Sequence, residues 1–189
     1  MSAYTDPNMD EIVKIDVNHA QLVTALVMSQ KPGRVLELGF GSGEATRAIL
    51  AGLRYNGAGC EYTIVDNWLD FDGIQPAITQ DPEYAGINFV TSPENVFVSE
   101  ALHAQNQYDF IFSDADHMAT QNWFEPVYQQ LLARAGILIY HDVTNTRDFP
   151  NLLRIYHDCV RNGYHYALFN NNSRTDERCD RGLLAIFKH

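Results

Sequence analysis

The sequence predicts an α/β fold built on one doubly wound, mostly parallel sheet. Apolar runs typical of strands alternate with helical stretches along the chain. These runs are nearly continuous rather than alternating with polar residues, as in strands buried on both faces. A glycine-rich turn joins the first run to the following helix, which is the usual start of a doubly wound sheet. Together these observations favour right-handed crossovers around a buried sheet.

The first element is a helix, Met9–Gln30, within an N-terminal helical segment of residues 1–30. Asp6-Pro7 resembles an N-cap followed by proline in the first turn. Apolar side chains then recur at helical spacing, with His19 among them. Lys31-Pro32-Gly33 ends the helix. We expect His19 to be structural or to line the rim of a site.

Five strands then alternate with helices. The predicted strands are Arg34–Leu38, Glu61–Val65 ending at Asp66, Ile87–Thr91, Tyr108–Ser113 and Ile137–Tyr140. The predicted helices are Glu44–Leu53, a helix closed by Asp81–Ala85, Pro93–Ala104, and Trp123–Ala133 with Gly136 as its terminator. The final elements are a helix, Asn151–Arg161, and two strands, Tyr164–Phe169 and Leu183–Phe187, joined by a long exposed loop, Asn170–Gly182. Two strands joined in this way predict an antiparallel hairpin at the edge of the sheet.

Length and charge narrow the classes of function. The 189 residues fit one domain, residues 1–189. The formal net charge is −11, with 13 basic residues scattered among 24 acidic ones, so neither nucleic acid nor an anionic membrane is an expected partner. The start of the chain lacks a signal peptide pattern. The three cysteines show no metal-site spacing, which favours free thiols and a cytoplasmic protein.

The turn after the first strand contains Gly39, Gly41 and Gly43 in the stretch VLELGFGSGEATRAIL. These glycines allow a sharp turn and a close approach of the backbone to a ligand. The dinucleotide fingerprint needs a small third residue where this chain has Glu44. Glu37, two residues before the first glycine, is unfavourable beside a pyrophosphate but suits a ligand that carries an ammonium group. The pattern therefore disfavours a dehydrogenase.

This E-x-G-x-G-x-G pattern resembles motif I of the class I S-adenosylmethionine-dependent methyltransferases. The resemblance implies a Rossmann-like domain whose glycine loop holds the methionine end of the cofactor, with Glu37 helping to position it. Asp66 then matches the acid that holds the ribose hydroxyls, since a carboxylate can accept two hydrogen bonds from a diol. Ser92, after the third strand, lies where the family contacts adenine, and Trp68 would border the same ring.

Acidic and histidine side chains follow two further strands. The fourth strand runs into Asp114 and His117 in the sequence SDADH, and the fifth runs into His141 and Asp142 in YHDV. Adjacent strands lie about 5 Å apart, so these groups can face one crevice.

The "DxDH … HD" pattern resembles small methyltransferases related to the sugar and macrolide O-methyltransferases, and more distantly to the catechol type. The similarity spans about Gln21 to Val143. It implies that Asp114 lies near the methionine end and the acceptor, and that Asp142 and Asp114 hold a divalent cation. Catechol-type relatives have asparagine after the second aspartate, where this chain has Val143.

Chemistry completes the predicted site. Asp114, His141 and Asp142 are the candidate metal ligands, and such a set suits Mg²⁺ or Mn²⁺. His117 is the candidate general base, because histidine titrates near neutral pH; a cap on the following helix is an equal alternative. His141 could equally be a packed strand-end residue.

The sequence therefore predicts an S-adenosylmethionine-dependent methyltransferase acting on a small-molecule hydroxyl, with Asp114, His117 and Asp142 as catalytic residues. Asp114 is also assigned to the cofactor. The alternative is a non-catalytic cofactor-binding or partner-binding protein on the same fold. A homodimer that completes the acceptor pocket is compatible with so short a chain.

Overall fold

The computed structural model describes residues 17–57, 59–69, 79–115, 123–144, 151–169 and 181–189. The strands are β1 (Arg34–Leu38), β2 (Glu61–Asp66), β3 (Asn88–Thr91), β4 (Tyr108–Ser113), β5 (Leu132–Tyr140), β6 (His165–Phe169) and β7 (Leu183–Phe187). The helices are α1 (Val17–Gln30), α2 (Glu44–Asn56), α3 (Glu94–His103), α4 (Phe124–Pro126) and α5 (Leu153–Asn162). A 3₁₀-helix covers Pro82–Tyr84, and a π-helix, Val127–Leu131, continues α4.

The seven strands form one sheet in the order β3-β2-β1-β4-β5-β7-β6. Strands β1 to β5 pair in parallel, whereas β7 is antiparallel to both β5 and β6. The predicted doubly wound sheet with a C-terminal antiparallel hairpin is therefore confirmed. The strand order reverses between β1 and β4, and ligands of such sheets bind beyond the carboxyl ends of the strands at that point.

Both faces of the sheet are covered, as the continuous apolar runs predict. On one face Phe110 and Phe112 of β4 pack in the same cluster as Val23 and Val27 of α1. On the other face Ile111 lies in a second cluster, which also contains side chains from α3 and α5. Successive residues of a strand point to opposite faces, so one short strand contributes to both cores.

The predicted helix Trp123–Ala133 is wrong at its end. The helical segment stops at Leu131, and β5 begins at Leu132 rather than at Ile137. Leu132 is fully buried and pairs with Tyr108 of β4, and a register irregularity follows before the next pairs. Burial of Leu132 against the sheet thus outweighs the helical pattern of the segment.

Smaller differences occur elsewhere. Helix α2 continues past Leu53 to Asn56, where Gly57 at φ 65° ends it. The segment Asp81–Ala85 contains only the 3₁₀-helix Pro82–Tyr84. The start of the predicted first helix and most of the loop Asn170–Gly182 lie outside the described residues. In the described part of the chain, every helix is too short or too polar to cross a membrane.

Candidate functional site

The glycine loop after β1 adopts a backbone that requires glycine. Gly39, Gly41 and Gly43 all have positive φ, at 90°, 53° and 75°. The Gly39 amide donates to the Val65 carbonyl at 2.9 Å, which fixes the loop against β2. A β-carbon on Gly39 would lie 2.4 Å from the carbonyl oxygen of Asp114. The loop backbone therefore packs directly against the end of β4.

Asp66, at the end of β2, ties this loop to the next segment. One carboxylate oxygen accepts from the Phe40 amide at 2.8 Å, and the other accepts from the Trp68 amide at 2.6 Å. Trp68 has φ 57°, which is uncommon for a residue with a large side chain. The Ser92 amide donates to the Asp66 carbonyl at 3.1 Å. The structure thus brings the glycine loop, Asp66 and Ser92 together at one edge of the sheet.

An aromatic cluster lies beside Asp66. The ring of Phe40 is 5.5 Å from Trp68, 5.6 Å from Tyr84 and 6.1 Å from Phe89, measured between centroids. Trp68 is 5% exposed, and its indole nitrogen forms no hydrogen bond with the described part of the protein. Sequence reasoning identified Trp68 and missed the other three. The only sequence signal for this cluster was Phe40, the aromatic residue between Gly39 and Gly41.

Glu37 lies beneath the glycine loop and is fully buried. Its carboxyl accepts from the Thr46 hydroxyl, at 2.9 and 3.0 Å to the two oxygens, and from the Tyr62 hydroxyl. Burial raises the pKa of Glu37 to about 8, although the hydrogen bonds from Tyr62 and Thr46 oppose that rise. Glu37 therefore links β1, β2 and the first turn of α2. Sequence reasoning missed Thr46, the partner from α2.

The acidic and histidine residues at the ends of β4 and β5 meet, as the strand spacing predicts. The last residues of these two strands, Ser113 and Tyr140, are paired in the sheet. His141 Nδ1 lies 3.2 Å from Asp114 Oδ2 and 3.5 Å from Asp142 Oδ1. One ligand atom from each residue lies within 4.8 Å of the others.

Burial and the neighbouring carboxylates shift the pKa of His141 in opposite directions. His141 is 1% exposed. Its burial lowers the pKa of the imidazole, but the charges of Asp114 and Asp142 outweigh that effect and hold the pKa above its ordinary value. The side chain of Asp114 is 27% exposed, so it is the member of the cluster that faces solvent.

Two residues beyond the predicted set complete the surroundings. Arg181 Nε lies 3.9 Å from Asp142 Oδ1. The ring of His19, on α1, contacts the His141 ring edge-on with centroids 5.5 Å apart. His19 is 1% exposed, so it lies in the interior rather than at the rim.

Two other positions singled out in the sequence, Val143 and His117, are not part of this cluster in the described structure. Val143, in the place of the catechol-type asparagine, is fully buried in the core, and its amide donates to the Gly182 carbonyl at 3.0 Å. The position thus contributes to packing. His117 lies outside the described residues.

The cluster has the geometry of a site for a small divalent cation. Ligand atoms that surround one such ion at about 2.1 Å lie about 3.0–3.5 Å from one another. The observed separations of 3.2 and 3.5 Å are of this size. His141 Nδ1 lies beside the Asp114 carboxylate, and Nε2 forms no hydrogen bond with the described part of the chain. Asp114, His141 and Asp142 therefore fit a metal ion.

Comparisons with known proteins agree with this geometry. The sequence model of a family described as "Methyltransferase domain" matches residues 36–143. No curated protein matches the chain.

Solved structures share the fold at low identity. An O-methyltransferase from Bacillus cereus in complex with SAH has a TM-score of 0.69 and 16% identity, over 98% of this chain and 92% of that one. The O-methyltransferase TomG from Streptomyces achromogenes, involved in tomaymycin synthesis and solved with SAM, has a TM-score of 0.68 and 11% identity, over 98% and 92%. A SAH-bound methyltransferase from Podospora anserina has a TM-score of 0.66 and 16% identity, over 98% and 83%.

Proposed function

The chain belongs to the methyltransferase-domain family, and from that premise we propose that it transfers the methyl group of S-adenosylmethionine (SAM) to a hydroxyl oxygen of a small molecule. The observation that carries the proposal is the meeting of the glycine loop with the end of β4, where Gly39 packs against Asp114. That contact joins the ligand-binding turn of a doubly wound sheet to a cluster suited to deprotonating a hydroxyl. The named structures that contain SAM or SAH support the choice of cofactor.

We assign the cofactor contacts as follows. The backbone of Gly39, Gly41 and Gly43 would receive the methionine end, supported from below by Glu37. Asp66 would receive the ribose hydroxyls. Each oxygen of its carboxylate has two lone pairs, so the bonds from Phe40 and Trp68 leave acceptor capacity for a diol. The adenine would then lie near Ser92 and Trp68.

In the reaction, a bond forms between the acceptor oxygen and the methyl carbon while the sulfur–methyl bond breaks, and the hydroxyl loses its proton. Alignment of the reactants lowers the barrier most, by up to about 7–11 kcal/mol in favourable cases. The side chain of Asp114 is 27% exposed and its backbone lies against the glycine loop, so it would orient the acceptor hydroxyl. His117 is proposed to accept the proton.

Asp114, His141 and Asp142 would hold a divalent cation, which supplies Lewis-acid chemistry that lowers the pKa of a bound hydroxyl. His141 is buried and lies beside both carboxylates, so it would fix the position of Asp114. The small-molecule nature of the acceptor and the homodimer stay predictions.

The test is a calorimetric titration of the purified chain with SAM, S-adenosylhomocysteine and NAD, followed by a screen of hydroxyl acceptors for turnover. We expect both sulfur ligands to bind and NAD not to bind. Asp66→Ala should weaken binding, whereas Asp158→Ala, at a partly exposed position of α5, is the matched control. Binding of NAD, or a failure to bind SAM, would refute the proposal. SAM binding without turnover in the screen would favour the non-catalytic alternative.

A further inference from the structure

The third ligand of the Asp114–His141–Asp142 cluster is a nitrogen atom. Carboxylate oxygens suit Mg²⁺, whereas imidazole suits later first-row metals such as Co²⁺ and Zn²⁺. Resting on the function proposed above, we propose that His141 makes this site selective for a first-row transition-metal dication of the Co²⁺ or Zn²⁺ class over Mg²⁺. Selectivity of this kind depends on whether the nitrogen can be left out of the coordination shell.

The structure holds the His141 nitrogen in place. The side chain is 1% exposed, and the His19 ring contacts it edge-on. Its Nδ1 lies 3.2 Å from Asp114 Oδ2 and 3.5 Å from Asp142 Oδ1. The buried ring, with His19 packed against it, therefore has little room to turn away from the carboxylates. An ion that enters the cluster therefore meets the nitrogen as well as the two oxygens.

Charge favours the same class of ion. Two carboxylates balance a dication, and a neutral imidazole ligand adds no further negative charge. The Arg181 guanidinium, 3.9 Å from Asp142 Oδ1, reduces the attraction for any cation. Mg²⁺ binding depends on that attraction, and Mg²⁺ gives up its bound waters reluctantly. A transition metal is also stabilised by its bond to nitrogen, so the nearby guanidinium lowers its affinity by a smaller fraction.

The experiment measures how the metal preference changes when the nitrogen ligand is replaced. The metal-free full-length chain is titrated calorimetrically with Mg²⁺, Co²⁺ and Zn²⁺, for the native protein and for His141→Asp and His141→Asn. Nitrogen and oxygen sites alike favour Zn²⁺ over Mg²⁺ to some degree. The informative quantity is therefore the change in the Zn²⁺:Mg²⁺ affinity ratio between variants. His157→Asp, at an exposed position of α5, is the matched control.

We expect the ratio to fall by at least about tenfold in His141→Asp and to stay unchanged in His157→Asp. An unchanged ratio in His141→Asp, or a native protein that binds none of these ions, would overturn the proposal. Circular dichroism checks that each variant folds. Pulsed electron paramagnetic resonance of the native protein loaded with Cu²⁺ detects a nitrogen ligand without any substitution. Absence of coupling to an imidazole nitrogen would also overturn the proposal. SAM binding without metal is measured separately, so failure of the proposed function is distinguishable.

Discussion

The carbonyl oxygen of Asp114 lies 2.4 Å from the position that a β-carbon on Gly39 would occupy. Real side chains do not tolerate such a contact with backbone, so the sequence at position 39 is restricted by a residue 75 positions later in the chain. The contact also couples the glycine loop to the backbone at the end of β4. A change at Gly39, or in the backbone at Asp114, should therefore alter both of the proposed roles, cofactor binding and alignment of the acceptor.

Gly39→Ala should therefore strongly reduce both the stability of the protein and its affinity for SAM. The added methyl group meets the Asp114 carbonyl, and φ 90° is itself unfavourable for alanine. We expect a loss of about 1–3 kcal/mol in the free energy of unfolding and at least a tenfold weaker SAM affinity. Denaturant unfolding and calorimetry measure the two effects. Gly59→Ala is the control, because a β-carbon there has no neighbour within 4 Å; equal behaviour of the two variants would contradict the close-contact argument.

Glu37 should make the stability of the protein depend on pH. Its pKa of about 8 in the folded chain lies above the ordinary value of 4.5, so the folded state keeps a proton that the unfolded state loses. Stability from this group is complete below pH 4.5 and is lost as the pH rises toward 8. The slope is about 1.4 kcal/mol per pH unit for one proton.

Glu37→Gln removes that titration. Urea unfolding at pH 5, 6.5 and 8 should show the native protein losing stability relative to the variant as the pH rises. Parallel pH profiles for the two proteins would mean that Glu37 stays charged in the folded chain.

Asp66→Ala should loosen two segments at once, because the carboxylate accepts from both the Phe40 and the Trp68 amides. Buried amides that lose their acceptor cost about 1–3 kcal/mol each. Trp68, 5% exposed in the native fold, should then become accessible to acrylamide. Fluorescence quenching in a Trp123→Phe background isolates its signal. Quenching equal to that of the unsubstituted background would argue against this role of Asp66.

Asp142→Asn tests the acidic cluster at its contacts with His141 and Arg181. The variant keeps the size of the side chain and removes its charge, so we expect turnover to fall at least about a hundredfold while SAM affinity changes little. Single-turnover kinetics and calorimetry separate these quantities. Asp158→Asn supplies the control, and a native rate in Asp142→Asn would remove this residue from the catalytic machinery.

The parallel sheet could be predicted because its strands are short, apolar and bounded by turn residues. The ranges of β1, β4 and β7 agree with the predictions residue by residue. The start of β5 could not be predicted, since Leu132 fits a helical pattern as well as a strand and only its pairing with Tyr108 decides between them.

The candidate site divides in the same way. Residues that follow strands, such as Asp114 and Asp142, could be placed together because parallel strands end at one edge. Arg181 and Thr46 could not, since their contacts with Asp142 and Glu37 depend on how distant segments pack. No local pattern in the sequence marks such a contact.

The position of β7 has a consequence for biosynthesis. This strand is made after the other six, yet it lies inside the sheet between β5 and β6. The residues just before it contact the end of β5, through Gly182 with Thr144 and Arg181 with Asp142. While the chain is still being translated, β6 has no neighbour to pair with and Asp142 lacks its guanidinium partner. The acidic cluster can therefore reach its final arrangement only after residues 181–187 have emerged from the ribosome.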